Sequence, residues 1–258
     1  VEAWAAQLRA DGRRNNRTQL KIMTILFGVM ERARKVHKLP LNPGRDLEKP
    51  VQRRSVDIDV FSPEEVLALV RAADSEQDAA IYLTAAFTGL RRGELVALRW
   101  RDVDFARSHV RVRASYTDGA LSTPKSGKIR AVPMTPDVAA ALARLGQRER
   151  WMGDDDLVFP GQAGDYLDAS ALYRRYKLAL KRAGLRDLRF HDLRHTFGTQ
   201  VIATASILKV KEWMGHADVD TTMRYLHFAP SAGDAELVAA AFAPRDAAGS
   251  PFTAPASA

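Results

Sequence analysis

The spacing of apolar residues constrains the fold of this chain more than any other feature. Over most of the sequence, apolar residues recur every three or four positions, which predicts amphipathic helices. The first such run comprises Leu20, Met23, Phe27 and Met30. In HVRVRAS (residues 109 to 115) and KIRAVPM (residues 128 to 134) the period is two, with Val110 and Val112 facing inward, which predicts a β-hairpin. We therefore expect a mainly α protein with one small antiparallel β-sheet, an α+β fold.

Local signals divide the chain. Three prolines and a charge run interrupt the helical period between residues 40 and 57, which predicts a linker there. A helix begins directly after it, because Ser62, Pro63 and Glu65 form a capping box. Residues 230 to 258 are expected to hold a last helix, AGDAELVAAAF, followed by a disordered tail of small and polar residues. That helix packs on its own domain or crosses to a neighbouring subunit.

Composition narrows the class of protein. Lys and Arg outnumber Asp and Glu by 39 to 31, a net charge of +8, which is typical of nucleic-acid binders and also of any protein from an arginine-rich proteome. The absence of cysteine excludes disulfides and thiol nucleophiles and suits a reducing compartment. Since no apolar run approaches the ~20 residues that span a bilayer, and the start lacks a signal-peptide layout, we expect a cytoplasmic protein without membrane contact.

The stretch RFHDLRHTFGTQ, residues 189 to 200, concentrates basic groups. His191 and Arg194 lie three residues apart and therefore share one face of a predicted helix. Arginine forks donate paired hydrogen bonds to phosphate and stay charged at any working pH. The chain has no obvious acidic cluster for magnesium, so arginines such as Arg91 and Arg194 could oppose the negative charge of a phosphoryl-transfer transition state. Without cysteine, the nucleophile for such a reaction is Ser, Thr, Tyr or water.

Three further stretches complete a pattern. They are TGLRRGEL with Arg91 and Glu94, PKSGKIRAVP with Lys125, and WMGHADVDTTMRYLHF with His216 and Tyr225. In this order and spacing the residues resemble the catalytic domain of the tyrosine recombinases, the phage-integrase family, over about residues 58 to 229.

The resemblance implies a role for each matched residue. Tyr225 would be the nucleophile that forms a 3′-phosphotyrosyl bond, and Lys125 the general acid that protonates the departing 5′-hydroxyl. Arg91, Arg194, His191 and His216 would bind the scissile phosphate, with His191 and the arginines also activating the phenol. Glu94 would orient the basic groups. The ring of His195 is expected to be buried and hydrogen-bonded behind the site.

Basic residues of the hairpin are candidates for further DNA contacts, namely Arg111, Arg113, Lys128 and Arg130. A solvated strand face explains Arg111 and Arg113 equally well. The turn contains two lysines. Lys125 lies at the position of the family's catalytic lysine, whereas Lys128 could contact the phosphate backbone of DNA.

Each motif also has a simpler interpretation. Arg91 and Glu94 could form a solvated ion pair on a helix. Tyr225 could be a packing residue, as we expect for Tyr173 and Tyr176. Four histidines could be a metal cluster, although few acidic residues accompany them and we expect no metal. These are His191, His195, His216 and His227.

The family's N-terminal helical domain holds DNA from the opposite side. Residues 1 to 39 resemble only its later portion, a partial core-binding domain, so we expect a truncated start, with sequence-specific affinity reduced. The whole pattern predicts a metal-independent, cofactor-free DNA recombinase, of a phage or mobile element, that acts as a tetramer on two double-stranded DNA sites, with accessory DNA-bending or directionality proteins as possible partners. The alternatives are an inactive DNA-binding accessory protein on the same fold and a topoisomerase that forms the same phosphotyrosyl bond.

Overall fold

The structure is a computed structural model of the 258-residue chain. It describes residues 1 to 51, 59 to 123, 127 and 129 to 226. The chain divides into two compact units, Val1–Asp57 and Ile58–Ala258. The assignment of DNA-binding and catalytic domains to these units stays a prediction, and the predicted last helix and tail at 230 to 258 lie outside the described residues.

The first unit contains helices α1 (Glu2–Ala10) and α2 (Asn16–Val36). The side chain of Asn15 caps α2 by accepting a hydrogen bond from the Thr18 amide at 2.9 Å, a contact that contributes about 1 kcal/mol. The expected apolar face of α2 is only partly buried. Met23 is 3% exposed, whereas Phe27 is 40% exposed, so helical periodicity overstated the core of this segment.

The second unit begins with α3 (Pro63–Arg71), α4 (Glu76–Thr88) and α5 (Arg92–Val96). The predicted capping box is confirmed: the Ser62 hydroxyl accepts from the Glu65 amide, and the Glu65 carboxylate accepts from the Ser62 amide at 2.8 Å. Helix α4 is buried on nearly all sides and ends at Gly89, whose φ of 64° is left-handed. A Cβ at Gly89 would lie 2.4 Å from the Phe197 ring, so the chain can turn towards α5 here only with glycine.

Strands β1 (Val103–Asp104), β2 (His109–Val112) and β5 (Arg130–Pro133) form an antiparallel sheet in the order β1-β2-β5. Val110 pairs with Val132, and both Val110 and Val112 are buried, which confirms the predicted inward face. A second hairpin, β3 (Ser115–Thr117) and β4 (Ala120–Ser122), forms its own two-stranded sheet between β2 and β5. The expectation of one sheet was therefore wrong. The missed signal is the Asp-Gly pair at 118 and 119, where both residues have positive φ, the favoured two-residue hairpin turn.

The remaining helices are α6 (Pro136–Leu145), α7 (Ala169–Arg182), α8 (Asp192–Val201), α9 (Ile207–Met214) and α10 (Asp220–Met223). The largest core includes edge-to-face contacts among Tyr82, Tyr176 and Phe190. Tyr176 is therefore the packing residue that was expected, while Tyr173 is 39% exposed. A smaller apolar cluster comprises Phe197, Ile202, Val210, Met214 and Tyr225. The predicted α+β fold is confirmed.

Within the ranges described above, every helix is too short or too polar to span a lipid bilayer.

Candidate active site

Three guanidinium groups meet at the C-terminal end of α9. Each donates a hydrogen bond to one of three consecutive backbone carbonyls: Arg130 to Trp213 (2.8 Å), Arg194 to Met214, and Arg91 to Gly215 (3.0 Å). The last carbonyls of a helix have no partner within the helix and carry its partial negative charge, so cations are stabilised there. The sequence brings these arginines from three elements: the residue before α5, the start of β5, and α8.

Glu94 joins two of these arginines. Its carboxylate accepts hydrogen bonds from Arg130 at 2.7 and 3.0 Å, from the Arg91 side chain at 3.0 Å and from the Arg91 amide at 2.8 Å. Burial acts to raise the pKa of Glu94, but the contacts with Arg130 and then Arg91 outweigh it, and the pKa is lowered. Since Glu94 is 2% exposed, the alternative of a solvated ion pair does not agree with the structure.

The positive charge of this cluster exceeds its negative charge. Glu94 supplies one negative charge against the three positive charges of Arg91, Arg130 and Arg194. Arg194 is 3% exposed and also donates to the Gly89 carbonyl. Burial first, and then the charge of Arg91, lower the pKa of Arg194, although a guanidinium still keeps its proton at neutral pH. A buried excess of positive charge attracts an anion strongly because little water screens it.

Tyr225 lies beside this cluster, directly after α10. It is 2% exposed, and its ring lies against Gly198 of α8, where a Cβ would come within 2.7 Å of the ring carbon Cζ. The Tyr225 hydroxyl and the Nδ1 atom of His195 are 2.8 Å apart. Burial raises the pKa of Tyr225, and the positive charge of Arg194 opposes this rise. The phenol is therefore protonated at neutral pH.

Three histidines lie near Tyr225: His195 and His216 are next to its ring, and His191 is next to His195. The His216 ring is parallel to the Tyr225 ring, with centroids 6.3 Å apart, and its Nδ1 is 2.8 Å from the Thr222 hydroxyl. His191 is exposed at the start of α8 and meets His195 edge to face at 5.0 Å. Sequence reasoning placed His195 behind the site; the half-buried ring is instead in contact with the Tyr225 hydroxyl.

All three imidazoles are neutral at neutral pH. Desolvation and then the charge of Arg194 lower the pKa of His191. Burial, with the charges of Arg194 and Arg91, lowers the pKa of His216 to about 3. Burial followed by the charge of His191 lowers the pKa of His195 to about 4. Each ring can therefore accept one hydrogen bond and donate another.

The structure brings Arg91, Glu94, Arg194, His195, His216 and Tyr225 into one region, with His191 adjoining it. The catalytic roles of these residues stay predictions. Lys125 and Lys128 lie outside the described residues.

The expected hairpin contacts differ from residue to residue. Arg111 and Arg113 remain about 40% exposed, but each pairs with a carboxylate, Asp104 at 3.0 Å and Asp102 at 2.7 Å. The structure contradicts the placement of Arg130 on a DNA-contacting surface, since it is 6% exposed and faces Glu94. The physical reason is the period of the strand: Arg130 is two residues before buried Val132 and therefore shares its inward face.

Among the residues that the structure describes, no group of three or more histidine or carboxylate side chains could hold a metal ion. This finding does not test the expectation of a metal-free reaction.

A cleft of about 670 Å³ adjoins His191. Its lining includes two arginines and three tyrosines, namely Arg92, Arg189, Tyr116, Tyr166 and Tyr173.

Comparisons with known proteins identify the family of this chain. The model of the phage integrase family matches residues 59 to 231. A XerC-like tyrosine recombinase of Caldanaerobacter subterraneus is 30% identical over 208 residues, 70% of this chain and 53% of that protein. A prophage phiRv2 integrase of Mycobacterium tuberculosis is 30% identical over 224 residues, 84% of this chain and 59% of that protein. The chain thus spans about half to three fifths of the length of these relatives.

Two solved structures share the fold. The Tn1549 transposon integrase, in complex with a circular intermediate DNA, has a TM-score of 0.71 at 20% identity and covers 87% of this chain and 79% of its own. The XerA recombinase has a TM-score of 0.56 at 25% identity, and the match covers 95% of this chain and 82% of the XerA chain. Since the family model matches most of the chain, including all the described residues of the site, this protein belongs to the phage integrase family of tyrosine recombinases.

Proposed function

We propose that this protein is a site-specific DNA recombinase that cleaves and rejoins DNA through a 3′-phosphotyrosyl bond to Tyr225. One observation carries the proposal: a buried cluster with an excess of two positive charges lies next to a tyrosine whose hydroxyl contacts an imidazole. A phosphodiester fits such a cluster because its negative charge grows in the transition state. The resemblance to recombinases and integrases supports the same chemistry.

The arginines would hold the scissile phosphate. A guanidinium has five N–H donors, and the contacts described above use two on Arg91 and two on Arg194. The remaining donors would bind non-bridging phosphate oxygens. His216 and His191 would add hydrogen bonds to the same phosphate. Glu94 would keep Arg91 in place, and Arg130 would keep Glu94 in place.

The reaction exchanges one phosphate ester for another. The Tyr225 hydroxyl gives its proton to a neighbouring base as its oxygen bonds to phosphorus, the bond from phosphorus to the 5′ oxygen breaks, and the departing oxygen takes a proton. Lys125 would supply this proton as the general acid. Rejoining is the reverse step with the 5′-hydroxyl of another strand, so the phosphotyrosyl bond conserves the energy and no nucleotide cofactor is needed.

Double-stranded DNA is the proposed substrate, and the proposed assembly is a tetramer on two DNA sites. The net charge of +8 favours DNA binding. XerH recombinase, which shares this fold with a TM-score of 0.71, was solved bound to a palindromic difH substrate in a post-cleavage complex. Accessory DNA-bending or directionality proteins are further proposed partners, and the cytoplasm is the proposed place of action. A phage or other mobile element is the proposed source of the DNA sites.

The test is covalent trapping on nicked DNA. The protein is incubated with duplexes that have a randomised core and a nick beside each possible cleavage site. The products are run on a denaturing gel, and the DNA in any covalent band is sequenced. We expect such a band from the wild type and none from Tyr225→Phe. Tyr173→Phe is the matched control, because Tyr173 is 39% exposed and lies outside the arginine cluster.

The alternatives give different results. Selective DNA binding without a covalent band would identify an inactive accessory protein. Relaxation of supercoiled DNA without a partner site would identify a topoisomerase.

A further inference from the structure

We propose that His195 is the base that accepts the proton of the Tyr225 hydroxyl during attack on the phosphate. This inference rests on the proposed function and deepens it, since it assigns the proton acceptor to a residue other than His191. It starts from a direct contact: Nδ1 of His195 lies 2.8 Å from the oxygen that would attack. A general base must be within hydrogen-bond reach of the proton it removes, and 2.8 Å satisfies this requirement.

The fold fixes this contact from both sides. His195 and Gly198 are three residues apart on α8 and share one face. Because Gly198 has no side chain, the Tyr225 ring can lie directly against the helix. The parallel His216 ring lies near Tyr225 as well. The phenol is therefore held with its oxygen at His195.

At neutral pH the proton lies on Tyr225 and His195 is uncharged, so His195 has a nitrogen free to accept a proton. The charged and titratable groups that act on His195 are His191 and Asp192 on or beside α8, Arg189 before it, and Arg224 next to Tyr225. Burial and the positive groups outweigh Asp192, and the pKa of His195 is lowered to about 4. Burial raises the pKa of Tyr225, so the phenol keeps its proton at neutral pH, and in the proposed step Nδ1 of His195 is the unprotonated nitrogen that accepts it.

The step balances as follows. The O–H bond of Tyr225 breaks as its oxygen bonds to phosphorus, and the proton moves to Nδ1, giving an imidazolium with a second proton on Nε2. The bond from phosphorus to the 5′ oxygen breaks, and that oxygen takes its proton from the general acid. When a 5′-hydroxyl attacks the phosphotyrosyl bond, its proton returns to the deprotonated general acid, and His195 returns its proton to the departing phenolate.

His195→Asn separates this role from a structural one. An asparagine amide can hydrogen-bond the phenol from nearly the position of Nδ1, but it cannot accept a proton at neutral pH. We expect formation of the covalent complex to slow by ~100-fold or more, within the range for loss of a general base. The rate of the variant should then rise about tenfold per pH unit, since only phenolate can attack, whereas the wild-type rate should be flat above the pKa of His195.

A substrate with sulfur in place of the 5′ bridging oxygen gives a second readout. A thiol has a pKa of about 8.5 and leaves without a general acid. This substrate should restore cleavage by Lys125→Ala, which lacks the general acid. It should not restore cleavage by His195→Asn, which lacks the proposed base. His195→Gln is a second amide variant, and circular dichroism and DNA binding check that both amide variants fold.

Three results would overturn the assignment: cleavage by both amide variants within a few fold of the wild type, a variant pH profile as flat as that of the wild type, or rescue of His195→Asn by the sulfur substrate. Failure of the wild type to form any covalent complex would instead remove the proposed function itself, and this assignment with it.

Discussion

One carboxylate, that of Glu94, contacts the guanidinium groups of both Arg91 and Arg130 and is almost fully buried. Its replacement by glutamine would leave the arginine charges opposed only by backbone carbonyls. We therefore expect Glu94→Gln to lower the free energy of unfolding by about 3–5 kcal/mol, as for other broken buried pairs. Urea denaturation followed by circular dichroism measures this change.

The control is a carboxylate that also pairs with an arginine but is exposed to solvent. Glu76 pairs with Arg144 at 3.3 Å, and both side chains are about 60% exposed. Glu76→Gln should change the free energy of unfolding by less than ~1 kcal/mol. Equal losses in the two variants would mean that burial gives the Glu94 contacts no special weight.

The pH dependence of the Glu94 contribution has a definite sign. Its pKa in the folded protein is lowered from 4.5. The contribution is therefore fully present above pH 4.5 and is lost as the pH falls through the lower folded value, because protons then bind the unfolded chain first.

Among the elements, the C-terminal end of α9 organises the arginine cluster. Gly215 ends this helix with a φ of 62°, and a Cβ there would lie 2.9 Å from the Arg130 guanidinium. We expect Gly215→Ala to destabilise the protein by ~1 kcal/mol, because alanine is strained in the left-handed conformation. Displacement of the Arg130 guanidinium should reduce the stability further. The covalent trapping rate should fall as well.

Gly184 supplies the matched control for this element. It also has a left-handed φ, 65°, but no atom lies within 4 Å of a Cβ built there. Gly184→Ala should therefore carry the conformational cost alone and leave cleavage unchanged. If the two variants lose the same stability and the same activity, the contact with Arg130 has no energetic importance.

The elements show where local signals suffice. The capping box of α3 and the inward valines of β2 follow from neighbouring residues, and both are predictable from sequence. The strand period also places Arg130 on the inward face, although a charged residue at this position is normally expected at the surface. Burial of this side chain is stable only because Glu94 and the Trp213 carbonyl, from distant parts of the chain, pair with it.

For the whole molecule, the number of DNA phosphates that its basic groups contact sets the response of DNA binding to salt. We expect affinity for duplex DNA to fall by about a thousandfold between roughly 50 and 200 mM salt if about six phosphates are contacted. Fluorescence anisotropy with a labelled duplex measures the slope. Arg111→Gln should reduce the slope by about one if Arg111 contacts a phosphate.

Arg144→Gln is the matched control, because it removes the same charge from an exposed ion pair elsewhere on the protein. If Arg111→Gln and Arg144→Gln give the same slope, Arg111 belongs to a solvated strand face and makes no phosphate contact.

The sequence by itself determined the fold class, the starts of several helices, the family and the residue types of the site, because periodicity, capping and motif spacing are carried by residues close together in the chain. Only the tertiary structure decided which atoms meet. Arg91 reaches the Gly215 carbonyl across 124 positions, and His195 reaches Tyr225 across 30. Such partners depend on how helices pack, so the sequence could not name the partner of the His195 ring, which was expected to be hydrogen-bonded behind the site and in the structure contacts the Tyr225 hydroxyl.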